Sequence, residues 1–183
     1  VPETAFEDRE SIRRMVRAMA ATLVDEALAG GAASLDALAL VGVRRGGVPV
    51  ARMLAEELES LEGVELPVGT LDITLYRDDA AVALPNPRIG PSVIPFEVGG
   101  RDLVLVDDVL MTGRTVRAAI ENLLDYGRPR RIWLAVLFDR GGRELPIAAD
   151  FVGREVEVDE ELRLEVDLTD DGAIAGAVLR GLP

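Results

Sequence analysis

The sequence predicts an α/β fold, a doubly wound and mainly parallel sheet flanked by helices. Three observations carry that expectation. The runs ALALVGV (37–43), LVLV (103–106) and RIWLAVLF (131–138) are short and continuously apolar, as strands buried on both faces are. Segments with helical periodicity separate them. Turn chemistry (RRGG, TGRT, DRGG) follows each run, so strands alternate with crossover connections. With 183 residues, 49% of them hydrophobic, the chain is expected to form one domain over 1–183.

Asp8 is placed to cap a first helix, in which Ile12, Met15, Val16, Met19 and Leu23 recur at helical spacing up to Gly30-Gly31. The first buried strand, 37–43, is broken by RRGG (44–47). A second helix runs through Val50, Met53, Leu54 and Leu58, and LPVGTLDITLY (66–76) alternates as another strand. Residues 77–95 hold four prolines and no periodicity, and are expected to form a mobile lid loop. The strand at 103–106 leads into Asp107 and Asp108, which should emerge where it ends. Val116, Ala119, Ile120, Leu123 and Leu124 mark a third helix, stopped by Gly127 and Pro129. The strand 131–138 gives way to DRGGRELP, and shorter strands are expected near 150–153 and 162–168. The loops at 44–47, 77–95, 107–115 and 139–146 leave strands at one edge, where open α/β sheets bind ligands. They should meet.

Composition narrows the chemistry. Histidine, cysteine and lysine are absent, and all 20 basic residues are arginine. This excludes Ser-His-Asp and cysteine nucleophiles, thiolate zinc sites, Schiff bases and a P-loop lysine. What remains is positioning by carboxylates and arginines, with a divalent cation held through oxygen. A net charge of −13 disfavours nonspecific nucleic-acid binding. No apolar run approaches the roughly 18 residues of a membrane span. The acidic VPETAFEDRE does not read as a secretory signal, and a cytoplasmic protein is expected.

The motif LVLVDDVLMTGRT (103–115) carries the functional signal. Adjacent carboxylates repel unless each finds its own polar partner, and the hydroxyls of a sugar diol supply two. Downstream, Gly113 lets the backbone approach a ligand closely, free helix-terminal amides favour an anion, and Thr112 and Thr115 add hydroxyls. A diol-binding pair just ahead of an anion cradle fits a ribose 5-phosphate. The plainer alternative, a capped turn before an ordinary helix, accounts for an isolated Asp-Asp but not for the whole run.

That motif resembles the 5-phosphoribosyl-1-pyrophosphate (PRPP) motif of the type I phosphoribosyltransferases. Over roughly residues 8–154, IRRMVRAMA, LDITLYRDD and GRPRRIWLAVLFDRGGRELPIAADFVG are further similar to the PyrR family, whose members combine pyrimidine-operon attenuation with uracil phosphoribosyltransferase activity. The resemblance implies the type I phosphoribosyltransferase fold. It also implies transfer of phosphoribosyl from PRPP to uracil, giving UMP and pyrophosphate, with Mg²⁺ carried by PRPP rather than by a side-chain cage. By the same resemblance Asp107, Asp108 and Arg77 are catalytic. The nucleotide site comprises Arg45, Gly46, Asp107, Asp108, Val109, Leu110, Met111, Thr112, Gly113, Arg114 and Thr115, with Arg88 in the lid. Asp139 and Arg140 fall in the base-recognition loop. Two departures stand out: Arg45-Gly46-Gly47 replaces the usual Thr-Arg-Gly, and Gly141-Gly142 replaces Gly-His.

Family members also bind leader RNA, and Arg13, Arg14 and Arg17 are the candidates for such a face. Against it, residues 155–171 carry nine carboxylates and one arginine. A homodimer or higher homo-oligomer is expected by resemblance. Two other readings stay open: a nucleotide-sensing RNA-binding attenuator with little catalysis, and a phosphoribosyltransferase for another base.

Overall fold

The computed structural model describes residues 3–29, 35–74 and 91–181. Eight strands are numbered in chain order: β1 (Glu3–Asp8), β2 (Leu38–Val43), β3 (Val68–Leu71), β4 (Asp102–Leu110), β5 (Arg131–Asp139), β6 (Phe151–Glu155), β7 (Leu162–Leu168) and β8 (Ile174–Gly181). The helices are α1 (Arg9–Ala29), α2 (Gly47–Glu62) and α3 (Arg114–Leu124). Five strands form a parallel sheet in the order β3-β2-β4-β5-β6.

Both faces of that sheet are covered, which is why its strands read as unbroken apolar runs. Val104 and Val106 of β4 join Ile12, Val16 and Leu23 of α1 and Val50 and Leu54 of α2 in one core. Leu103 and Leu105, pointing the other way, join Val116, Ala119 and Leu123 of α3 in a second. Truncating one such leucine to alanine costs about 2–5 kcal/mol. Asp8 does cap α1, its Oδ1 accepting from the Ser11 amide at 2.7 Å. Helix α2 stops at left-handed Gly63, whose amide donates to Glu59 O at 2.8 Å.

Three differences from the sequence reading have physical causes. First, β4 continues through Asp107 and Asp108 to Leu110, because Val109 and Leu110 still pair with Phe138 and Asp139 of β5. The acidic pair therefore sits inside the strand, not beyond it. Second, β3 is only four residues long; its Thr70 makes an antiparallel bridge with Val93, near the C-terminal end of the expected lid. Third, a separate antiparallel sheet, β1-β8-β7, was not foreseen at β1 or β8. It packs on the first core through Leu164, Ile174 and Ala177, and Phe6 meets Phe138 edge-on at 5.8 Å.

Candidate functional site

In the order β3-β2-β4, strand β2 is followed in sequence by β3 on one side, and β4 lies on the other. The chain thus changes direction across the sheet between β2 and β4, and the carboxyl ends of those strands open a crevice. The loop leaving β2 packs against the end of β4. Gly46 lies against Asp108 so closely that a Cβ there would collide with the carboxylate and lie 2.9 Å from Asp108 Cβ. At position 47 a Cβ would lie 2.9 Å from Asp107 Cα. Glycine is therefore required for close approach, not for an unusual φ, since Gly46 has φ −67°. The Arg44–Arg45 peptide is cis, and both arginine side chains are exposed. Gly46→Ala is expected to displace Asp108 and lower turnover about 100-fold, as a misplacement of about 1 Å does. Steady-state kinetics beside a circular dichroism spectrum unchanged from wild type would check this; undiminished turnover would contradict it.

The two acids differ. Asp107 is only 5% exposed, and its Oδ1 accepts from the Asp108 amide at 3.0 Å. Burial, reinforced by the neighbouring Asp108 charge, pushes the Asp107 carboxyl well above the ordinary carboxylate range. Asp108 is half-buried against Gly46. Past them, Leu110 is 1% exposed and belongs to the α3-side core. Its expected ligand contact is thereby restricted to its backbone, and its carbonyl accepts from the Arg140 amide at 3.0 Å. Val109 packs on the opposite core, whereas Met111 is exposed.

Gly113 opens α3 with φ +89°, a conformation that disfavours any residue bearing a Cβ. The Arg114 amide donates to Thr112 Oγ1 at 3.2 Å, and Thr115 is half-buried beside it in the first turn. Helix-terminal amides and hydroxyls so arranged are suited to an anion. The Arg114 side chain turns aside, pairing with Glu144 at 2.6 Å.

The structure brings the loop after β5 to the same place. The Glu144 and Leu145 amides both donate to Thr112 O at 3.0 Å. Asp139 Oδ1 accepts from the Gly141 amide at 2.9 Å, and its Oδ2 pairs with Arg143. Arg140 does not face the crevice: its guanidinium donates to Leu162 O at 3.1 Å and to Val158 O and Asp159 O at 3.4 Å. Its side chain thus ties the end of β5 to the start of β7. Arg143 was the residue missed. Its spacing of four from Asp139 was the available signal, and the multiple polar contacts it makes were not visible in sequence.

Arg77 and Arg88 lie outside the described residues. Arg13 and Arg17 both approach Glu57 of α2, at 3.5 and 4.0 Å, and Arg14 lies 3.8 Å from Glu10. The arginines of α1 are exposed but sit among carboxylates. Among the described residues no cluster of three or more carboxylates offers a metal cage, and no helix is long and apolar enough to cross a membrane.

Comparisons with known proteins bear on the family and the fold. A family model described as the phosphoribosyl transferase domain matches residues 4–165. The chain is 49% identical to the Bifunctional protein PyrR of Roseiflexus sp. (strain RS-1), across 94% of this chain and 92% of that one. It is 53% identical to the Bifunctional protein PyrR of Thermus aquaticus, covering 74% and 76% respectively. Among solved structures, the hypoxanthine phosphoribosyltransferase of Trypanosoma cruzi in complex with the product IMP has a TM-score of 0.66 at 19% identity. That alignment covers 86% of this chain and 78% of the other, and shows the shared fold.

Proposed function

The chain belongs to the PyrR family of phosphoribosyltransferases, and on that premise we propose that it transfers phosphoribosyl from PRPP to uracil, giving UMP and pyrophosphate. The observation that carries the reading is the contact of Gly46 with Asp108 at the switch point, which joins the loop after β2 to the acidic pair, with the turn 112–115 following on the same strand. In this reading the α3 amides and the Thr112 and Thr115 hydroxyls hold the 5-phosphate. Asp107 and Asp108 accept hydrogen bonds from the ribose hydroxyls. The 44–47 backbone and Arg45 face the pyrophosphate, and Arg77 and Arg88 are candidates to reach it from the segment outside the described residues. Displacement at the anomeric carbon then needs an immobilised sugar and a neutralised leaving group, and no histidine base.

Magnesium fits the donor set. Mg²⁺ is ordinarily held by one or two carboxylates together with substrate oxygens, and Asp107 and Asp108 are hard oxygen donors at the crevice. When bound with PRPP it supplies charge neutralisation for the departing pyrophosphate.

The test is a base panel of uracil, hypoxanthine, guanine and orotate with PRPP and Mg²⁺. Uracil is expected to exceed the others in kcat/KM by about 100-fold or more, the discrimination available when a site's polar groups are left unpaired by the wrong ligand. Preference for another base would overturn the uracil assignment, and failure to consume PRPP with any base would overturn the transfer itself.

Membership of the PyrR family favours a second reading, regulatory RNA binding through Arg13, Arg14 and Arg17. Glu57 beside Arg13 and Arg17, and the net charge of −13, weigh against phosphate neutralisation there. A gel shift with the leader of the protein's own pyrimidine operon is expected to show weak binding. Tight retention strengthened by UMP would establish the regulatory role.

A further inference from the structure

We propose that Arg143 is a positioning residue that fastens the loop 139–147 to the turn 111–115, so that the phosphate side and the base side of the site are held as one body. This rests on the reading of 112–115 as the phosphate cradle. A single guanidinium engages three pieces of chain. Its Nε donates to Ile147 O at 2.9 Å, its Nη1 to Met111 O at 2.8 Å and Gly141 O at 3.2 Å, and its Nη2 to Asp139 Oδ2. Four of the five guanidinium N–H groups are thereby used, three on backbone carbonyls. The carbonyl of Met111 precedes the phosphate turn, Asp139 ends β5, and Ile147 closes the loop.

The loop has no helix or strand of its own and turns at two left-handed glycines, Gly141 and Gly142. What holds it are the Arg143 contacts, the paired amides of Glu144 and Leu145 on Thr112 O, and the Arg114–Glu144 pair. Ile147 and Leu145 also press on Gly113, where a Cβ would lie 3.3 and 3.4 Å from theirs. The side of the loop that meets the turn is thus latched by hydrogen bonds and packed by apolar groups at once. Lysine cannot replace this arginine, since an ammonium has three donors and no plane to spread across four acceptors.

The test compares wild type, Arg143→Ala and Arg143→Lys by binding and by amide exchange. For Arg143→Ala, ribose 5-phosphate is expected to bind within about twofold of wild type, while UMP, which reaches both sides of the site, weakens roughly 10-fold or more. Amides of Glu144, Leu145 and Ile147 should lose exchange protection while those of α3 keep theirs. Arg143→Lys should follow Arg143→Ala. Equal weakening of both ligands, unchanged loop protection, or full rescue by lysine would each overturn the role of Arg143. Failure of wild type to bind ribose 5-phosphate would instead overturn the cradle reading, leaving the exchange experiment to decide the fastening.

Discussion

Asp107→Asn is expected to make the ligand-free protein more stable at neutral pH while lowering kcat/KM for PRPP on the order of 100-fold. Both effects come from one carboxyl. In the free protein Asp107 is buried next to Asp108, and burial chiefly, then the neighbouring charge, raise its pKa well above 3.8. Its contribution to stability is then fully present below about 3.8, where folded and unfolded chains are both protonated, and is lost as pH climbs through the raised folded value. Asparagine has nothing to ionise, and its Oδ1 can still accept from the Asp108 amide. The melting-temperature gain of Asp107→Asn should therefore appear above about pH 3.8, grow with pH and then level off. A gain that instead increases on acidification would show the sign to be wrong.

The loss of activity follows from what the carboxylate gives the sugar. A charge-assisted hydrogen bond is worth about 1.5–3 kcal/mol, and a neutral amide forfeits much of that. The double variant Asp107→Asn with Asp108→Asn should fall further, on the order of 1,000-fold. PRPP with Mg²⁺ should raise the melting temperature of wild type more than that of either variant, because stabilisation by a ligand scales with its affinity. Wild-type kcat/KM in the double variant would remove both acids from the ribose site. A residue kept at a cost to stability and needed for turnover is what a binding site pre-built for its ligand leads one to expect.

Legibility in sequence followed the locality of the interactions. Helix α1 could be read because Ile12, Met15, Val16, Met19 and Leu23 define its buried face and Asp8 caps it within three residues. The turn 112–115 could be read because Gly113 takes its positive φ locally and the Thr112 hydroxyl accepts from the Arg114 amide two residues on. Strand β8, IAGAVLRG, could not: its alanines and glycines have little strand preference, and it exists because β1 and β7 flank it. That pairing joins Glu3 to Arg180, a partner at the other end of the chain. In sequence the acidic C-terminal stretch bore only on RNA binding, yet Arg180 reaches Glu165 at 2.8 Å and Glu3 at 3.1 Å, so some of its charge is structural. Arg140 and Arg143 show the same limit. Residue type singled out Arg140 and passed over Arg143, because the carbonyls that Arg143 engages come together only in the folded loop.

Arg130→Ala is expected to lower the melting temperature by roughly 10 °C while leaving turnover per folded molecule unchanged. Asp102, the first residue of β4, is completely buried. Arg130, just before β5, meets it with a planar fork, Nε donating to Oδ1 at 2.7 Å and Nη2 to Oδ2. The pair is lopsided, because the guanidinium is 46% exposed and the carboxylate is sealed. Water therefore screens the arginine but cannot replace it, and its removal strands a charge in the core. Asp102→Leu with Arg130→Met should recover most of the loss, since a well-packed apolar pair of similar volume commonly matches a buried ion pair. The pair lies about 20 Å along β4 from Asp108, at the amino ends of the strands, away from the crevice. A melting curve for Arg130→Ala superimposed on wild type would show that the carboxylate does not depend on its partner. A fall in kcat without unfolding would show that the two ends of β4 are coupled. Retained kcat with the melting transition shifted down assigns this pair to holding the sheet, and leaves the chemistry to the opposite edge.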